Sequence, residues 1–108
     1  MSGVSPTPLD DLRVVEISDR IAGAYCGKLL VDAGADVVKV EPPVGDPLRR
    51  FTATGAAPPA GSDAPLFSYL NAGKRSVTAG SAELLACADI VITTQREFDP
   101  RPLLDRSP

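Results

Sequence analysis

The sequence predicts an α/β fold: a small, mostly parallel sheet of three or four strands with flanking helices. Three observations carry this. Residues Arg13–Pro43 (RVVEISDRIAGAYCGKLLVDAGADVVKVEPP) read as strand, helix, strand, and two strands joined by one helix of that length run parallel. Residues Asp89–Thr94 (DIVITT) form a further β-branched run, the residue type that suits a pleated sheet. The strands are continuous apolar runs more than alternating ones, as expected where helices cover a parallel sheet.

The composition bounds the function. A chain of 108 residues, 44% hydrophobic and 23% charged, suffices for one domain with a modest core. Its net charge of −3 argues against a nucleic-acid or anionic-membrane surface, which needs a basic excess. No run approaches the ~20 apolar residues of a membrane span, and the first residues lack the basic and apolar regions of a secretory signal. Cys26 and Cys87 are the only cysteines and histidine is absent. Both thiols are expected to be reduced and buried. Nothing points to an oxidising compartment, and the chain reads as cytoplasmic. Without histidine, a zinc site or a Ser-His-Asp triad within this chain is excluded, so acid–base work would fall to carboxylates, Lys or Tyr; no metal is expected.

The elements follow in order. Residues 1–8 read as a flexible lead-in, residues 9–94 as the domain, and residues 95–108 as a linker-like tail. Leu9 and Leu12 approach a first strand, Arg13–Ile17. Ser18 or Asp19 is placed to cap the helix that follows. In that helix, Asp19–Ala33, the recurrence of Ile21, Tyr25, Leu29 and Ala33, with Ala22, Cys26 and Leu30 beside them, predicts one wide apolar face turned inward. Gly34 stands where a left-handed residue ends a helix. Gly23 and Gly27 inside the helix each cost about 1 kcal/mol against alanine. They imply a close approach, either of helix to sheet or of a ligand or partner backbone. The second strand, Asp36–Glu41, ends at Pro42-Pro43. Lys39 and Glu41 near its end read either as solvated or as part of a site. A turn at Val44–Pro47 leads to a short helical piece at Leu48–Phe51. The Pro/Gly-rich stretch 52–65 is a loop long enough to be functional or disordered. Leu66–Leu70 reads as a short helix or turn, and Gly73 allows an unusual backbone angle. Ser76–Thr78 is a short strand, Ser81–Ala88 a short helix, and Asp89–Thr94 the last strand.

Chemistry has few candidate carriers. The first turn, Ser18–Gly23, lacks the GxGxxG fingerprint, although any helix start offers free N–H groups to an anion. Two basic pairs stand out, Arg49-Arg50 and Lys74-Arg75. Arg grips a phosphate bidentately and Lys acts as a point charge. The alternative for each pair is a solvated face or a salt bridge to carboxylates such as Asp46.

The order of motifs is more specific than any one of them. Pro8–Glu16 (PLDDLRVVE), Ala22-Gly23, Asp32–Pro43 (DAGADVVKVEPP), Gly45-Asp46-Pro47, Arg49-Arg50, Leu70–Ser76 (LNAGKRS) and Ala88–Ile92 (ADIVI) together resemble the start of the family III CoA-transferases. That group includes formyl-CoA transferase, carnitine CoA-transferase and the α-methylacyl-CoA racemases. The resemblance implies a Rossmann-like N-terminal domain that helps hold coenzyme A, taken as free CoA or as the acyl-CoA substrate. Carried over by position, Asp19, Arg20, Ile21 and Ala22 would line the first turn of the CoA site. Pro42 would lie near the adenine end, and Leu70, Lys74 and Arg75 near the nucleotide or its phosphates. In the family, an aspartate beyond the strand matching Asp89–Thr94 forms the acyl-anhydride and thioester intermediates. Asp99 and Asp105 do not match it, so the chain carries no catalytic residue by this resemblance and is expected to be inactive alone. Thr93-Thr94-Gln95-Arg96 replaces an Asn–Phe pair common in the family, and the stretch between Ser76 and Ala88 is short. The family's dimer of interlocked rings implies a homo-oligomer, or a missing C-terminal half, as partner. The alternative is a non-catalytic CoA- or nucleotide-binding module, or a subunit completed by another chain. A racemase relative ranks last, because that chemistry pairs Asp with His.

Overall fold

The structure, a computed structural model, describes residues 9–52, 54–59, 61–78 and 82–94. The lead-in 1–8 and the tail 95–108 lie outside the described residues. Four strands, β1 (Arg13–Ile17), β2 (Asp36–Val40), β3 (Arg75–Val77) and β4 (Ile90–Thr93), form one sheet in the order β3-β2-β1-β4. Every pairing is parallel. The predicted α/β class with a small parallel sheet is what the chain adopts.

Helix α1 (Ile21–Asp32) crosses from β1 to β2. It stops as predicted: Gly34 has φ 107°, the Ala35 N–H reaches Leu30 O at 3.0 Å and the Gly34 N–H reaches Val31 O at 3.0 Å. That pair of bonds closes the helix around a left-handed glycine. A 3-10 turn (Pro47–Arg50) and helix α2 (Pro65–Asn71) then lead to the edge strand β3, and helix α3 (Ala82–Ala86) leads across to β4. The α3 segment supplies Leu84 and Cys87 beside Val15 and Val38. Those two valines lie on the face opposite Val14, Glu16, Val37 and Lys39, because neighbouring strand residues alternate. The sheet therefore carries α1 and α3 on opposite faces.

Two apolar clusters hold these layers. Val14, Ala35 and Val37 are buried between sheet and α1, with Leu9, Leu12, Leu30, Val31 and Ile92 packed around them. Ala24, Leu48, Phe67 and Leu70 join α1, the 3-10 turn and α2. A fully buried side chain of the Val, Leu or Phe kind contributes about 1.5–3 kcal/mol.

Four expectations are corrected here. The inward side of α1 is small at its start, where Gly23, Ala24 and Gly27 are buried, and Leu30 packs inward as expected, beside Val31, while Ile21, Tyr25 and Leu29 are 47%, 47% and 54% exposed. Apolar recurrence alone could not show which stripe meets the sheet, and the small residues win because they permit close approach. Neither Ser18 nor Asp19 caps α1; Arg20 is the N-cap residue and no side chain makes a cap bond. Cys26 and Cys87, expected to be buried, are not bonded to each other and are exposed. Lys39 and Glu41 are not solvated; they are 1% and 3% exposed.

Candidate functional site

The sheet order places a switch point beside β1. Connections run outward from β1 to β2 to β3, then return to the other side of β1 for β4. In open parallel sheets, ligands bind outside the carboxyl ends of the strands at such a reversal. Here that place lies between the ends of β1 and β4, where the Thr94 N–H donates to Ile17 O at 3.3 Å and Thr94 Oγ1 donates to Asp19 Oδ1 at 3.3 Å.

The turn from β1 into α1 forms one wall. Ser18 faces inward, its Oγ donating to Glu16 Oε2 at 2.7 Å. Asp19, Arg20, Ile21 and Ala22 face solvent. The side chain of Arg20 is 79% exposed, with its Nε 3.9 Å from Asp19 Oδ1. No acidic residue occupies the first turn of α1 and no side chain caps it. The helix start thus presents N–H groups and a partial positive charge to the crevice, with the exposed Arg20 guanidinium, paired loosely with Asp19, beside them. Pro42 is exposed just past the end of β2, one strand over on the same edge.

Behind this edge lies a buried charge cluster that sequence reasoning missed. The parallel register sets Glu16 beside Lys39. Glu16 Oε2 accepts from Lys39 Nζ at 2.6 Å, and Glu16 Oε1 accepts from Lys74 Nζ at 2.6 Å. The side chains of all three are 0–1% exposed. Lys39 Nζ also stands 2.7 Å from Asp46 Oδ2. That oxygen has no aligned hydrogen bond among the described residues, so charge alone holds it, while Asp46 Oδ1 accepts from the Leu48 N–H at 2.8 Å. Burial pushes the Glu16 carboxyl up, but hydrogen bonds from Lys39, Lys74 and Ser18 together bring it below its ordinary value. Burial lowers Lys74, and its bond to Glu16 offsets that only in part. The close approach implied by Gly23 and Gly27 is made by these side chains. A Cβ on Gly27 would overlap Glu16 Oε1 and lie 3.1 Å from Lys74 Nζ; one on Gly23 would lie 2.5 Å from Ser18 Cβ.

A second cluster ties down the loop after β2. Glu41 accepts from Arg49 Nε and Nη2, each at 2.7 Å, from the Asp46 N–H at 2.8 Å, and from Ser76 Oγ. Arg49 Nη1 continues to Asp63 Oδ2 at 2.8 Å, and its guanidinium lies over the Phe67 ring, 4.2 Å from the centroid. The Arg49 bonds, opposed by burial and assisted by Ser76 and the Asp46 N–H, hold the Glu41 carboxyl down at about 2.

The structure therefore separates the carried-over residues. Asp19, Arg20, Ile21 and Ala22 gather at the switch point, and Pro42 shares their edge. The Leu70 side chain is in the core, 2% exposed. Lys74 points inward to Glu16. Arg75 begins β3 and reaches back to the first residue of β2, pairing with Asp36 through Nη2 at 2.6 Å and Nε at 3.0 Å. Of the two basic pairs, Arg49 and Lys74 are held by carboxylates, while Arg50 is exposed. The register of two charged residues inside valine-rich strands was the available signal for the Glu16–Lys39 pair. Nothing local points from either to Lys74, 58 residues away from Glu16.

A family model described as CoA-transferase family III matches residues 9–100. The chain belongs to this family. Among curated relatives it is 57% identical over 47 residues to the succinyl-CoA–D-citramalate CoA-transferase of Chloroflexus aurantiacus, covering 43% of this chain and 12% of that protein. It is 35% identical over 102 residues to the "Probable fatty acyl-CoA transferase Rv3272" of Mycobacterium tuberculosis, covering 86% of this chain and 25% of that one. Among solved structures, a CAIB/BAIF family protein from Brucella suis superposes with TM-score 0.70 at 38% identity, over 94% of this chain and 29% of that chain. The chain thus spans a quarter or less of these two curated relatives, and the family III resemblance of its motifs is matched by family, by sequence and by fold.

Proposed function

We propose that this chain is the N-terminal, coenzyme A-binding part of a family III CoA-transferase, which moves CoA from an acyl-CoA to a carboxylic acid. One observation carries the reading: α1 begins uncapped at the sheet's switch point, with Arg20 exposed beside it. Such a helix start suits a phosphate, through its N–H groups and dipole, and an adjacent guanidinium adds a bidentate donor. Asp19, Arg20, Ile21 and Ala22 form the first wall of the CoA site in this reading. Pro42 lies toward the adenine, while Leu70, Lys74 and Arg75, carried over by the resemblance, support the site from within and from the amino end of β3. The carboxylate nucleophile is assigned to no residue between 9 and 94, so the chain binds the carrier without turning it over. The relatives' names support acyl-CoA as the substrate class, with the acyl group chosen elsewhere in the protein.

The exposed stripe Ile21, Tyr25, Leu29 on α1 supports a partner, either a second copy of the chain or a further part of the enzyme. Unpartnered apolar surface of this kind marks interaction sites. The test of the reading is calorimetry of the 108-residue chain with CoA, alongside an isotope-exchange assay between acyl-CoA and a carboxylic acid. Saturable CoA binding without exchange is expected. No binding would overturn the CoA assignment, and exchange by the chain alone would overturn its dependence on outside residues.

A further inference from the structure

The first turn and the loop after β2, both at the carboxyl ends of their strands, and the α2–β3 turn, at the amino end of β3, are all tied to one carboxylate. Glu16 holds the first turn through Ser18 Oγ at 2.7 Å. It holds Lys39 at 2.6 Å, and Lys39 meets Asp46 of the loop after β2 at 2.7 Å. Its other oxygen holds Lys74, on the turn between α2 and β3, at 2.6 Å. Lys74 Nζ donates twice more, to the Ala24 carbonyl at 2.8 Å and to Asn71 Oδ1 at 2.7 Å. An ammonium has three N–H donors, so these contacts leave none for a ligand. Its side chain is 1% exposed, and the cluster is charge-balanced, with Glu16 and Asp46 against Lys39 and Lys74.

We infer that Lys74 is a positioning residue: by joining Glu16, the α1 carbonyl of Ala24 and Asn71, it fixes α1 and the α2–β3 turn around the carboxylate that holds the first turn, and it meets no phosphate itself. This rests on the CoA reading for its functional consequence, while the geometry stands apart from it. The Glu16 bond matters most: without Lys74 the carboxylate that also holds Ser18 of the first turn is left short of a cation and must shift, taking the helix start with it.

The experiment compares the full chain with Lys74→Met and with the charge-balanced pair Glu16→Gln/Lys74→Met. Each protein is titrated with CoA across a salt series, and amide hydrogen exchange is followed in the absence of ligand. Lys74→Met is expected to weaken CoA by about tenfold or more, the effect of one misplaced charge-assisted contact, with the parent's salt dependence. It is also expected to speed exchange at residues 19–24. The pair is expected to regain most of the affinity and the slow exchange, because no buried charge is left unmatched. A shallower salt dependence in Lys74→Met, with no recovery in the pair, would make Lys74 a phosphate ligand and overturn the inference. Unchanged exchange at residues 19–24 would overturn it as well. If Lys74→Met does not fold, the pair decides by itself: parent-like salt dependence with near-parent affinity supports positioning, and a loss in both refutes it. If the parent fails to bind CoA, the CoA reading falls, and the exchange comparison still decides the role of Lys74.

Discussion

Gly27 shows how a single missing atom makes room for charge. The Glu16 carboxylate occupies the space where a Cβ would stand, with Lys74 just beyond it. Gly27→Ala must push apart a buried pair that cannot yield without losing a hydrogen bond. The expected cost is about 2–4 kcal/mol, the range of overpacking combined with a broken buried ion pair, read as a lower urea midpoint. A gain in stability, toward the ~1 kcal/mol that Gly-to-Ala ordinarily adds inside a helix, would show that the cluster gives way freely. Glu41 makes a second prediction, in acid. Its carboxyl sits at about 2 when folded against 4.5 ordinarily. A depressed folded value means stabilisation that is complete above about pH 4.5 and lost as pH falls toward about 2. Glu16, also lowered, acts in the same direction. Thermal melts should therefore drop steeply below pH 4.5. Glu41→Gln should cost about 3 kcal/mol at pH 7 and flatten part of that acid limb. A variant whose acid limb matches the parent's would remove Glu41 from the account.

Helix α1 serves two needs that conflict. Stability would be raised by a cap, and the β1 turn offers Ser18 and Asp19 within reach. Yet Ser18 donates to Glu16 and Asp19 meets Thr94, which leaves the helix start open. An open start is a cost of about 1 kcal/mol relative to a Ser, Thr or Asp cap. It is also the one feature of α1 that suits an anion. Arg20→Ser should separate the two: it is expected to raise stability by about 1 kcal/mol while weakening CoA, since the hydroxyl takes an N–H and the guanidinium is gone. A gain in stability with unchanged CoA affinity would place the ligand elsewhere. The same helix explains the reversal of its expected inner face. Recurrence of Ile21, Tyr25 and Leu29 every four residues identifies a stripe, but α1 instead turns Gly23 and Gly27 to Ser18 and Glu16 and Ala24 to Leu48, Phe67 and Leu70.

The molecule as a whole presents more apolar helix surface than a closed domain would. Ile21, Tyr25 and Leu29 stand about half-exposed in a row on α1, with Lys28 4.5 Å over the Tyr69 ring beside them. Sedimentation across a concentration series is expected to show association of the chain. Leu29→Glu should shift it toward monomer with a change in stability under about 0.5 kcal/mol, as for exposed positions generally. A parent that stays monomeric at every concentration would assign the stripe to something other than a second copy. No helix among the described residues is long and apolar enough to cross a membrane.

The sequence by itself determined the strand–helix–strand core, the parallel sheet, the closure of α1 at Gly34 and, through the order of its motifs, the family. These rest on local physics: apolar runs, β-branched residues, proline stops and a glycine in the left-handed region, all read within a few residues. Tertiary structure alone decided which charges are buried in pairs and which stay exposed. Lys39, Glu41, Arg49 and Lys74 look alike in the sequence to Arg20 and Arg50, all being charged groups near strand or helix ends. Folding brings Glu16 to Lys74 across 58 residues and Arg49 to Asp63 and Glu41, and a buried charge must find its partner wherever the chain can supply one. The start of α1 remains uncapped because its nearest polar side chains, Ser18 and Asp19, are engaged elsewhere, a fact about contacts that no spacing rule contains.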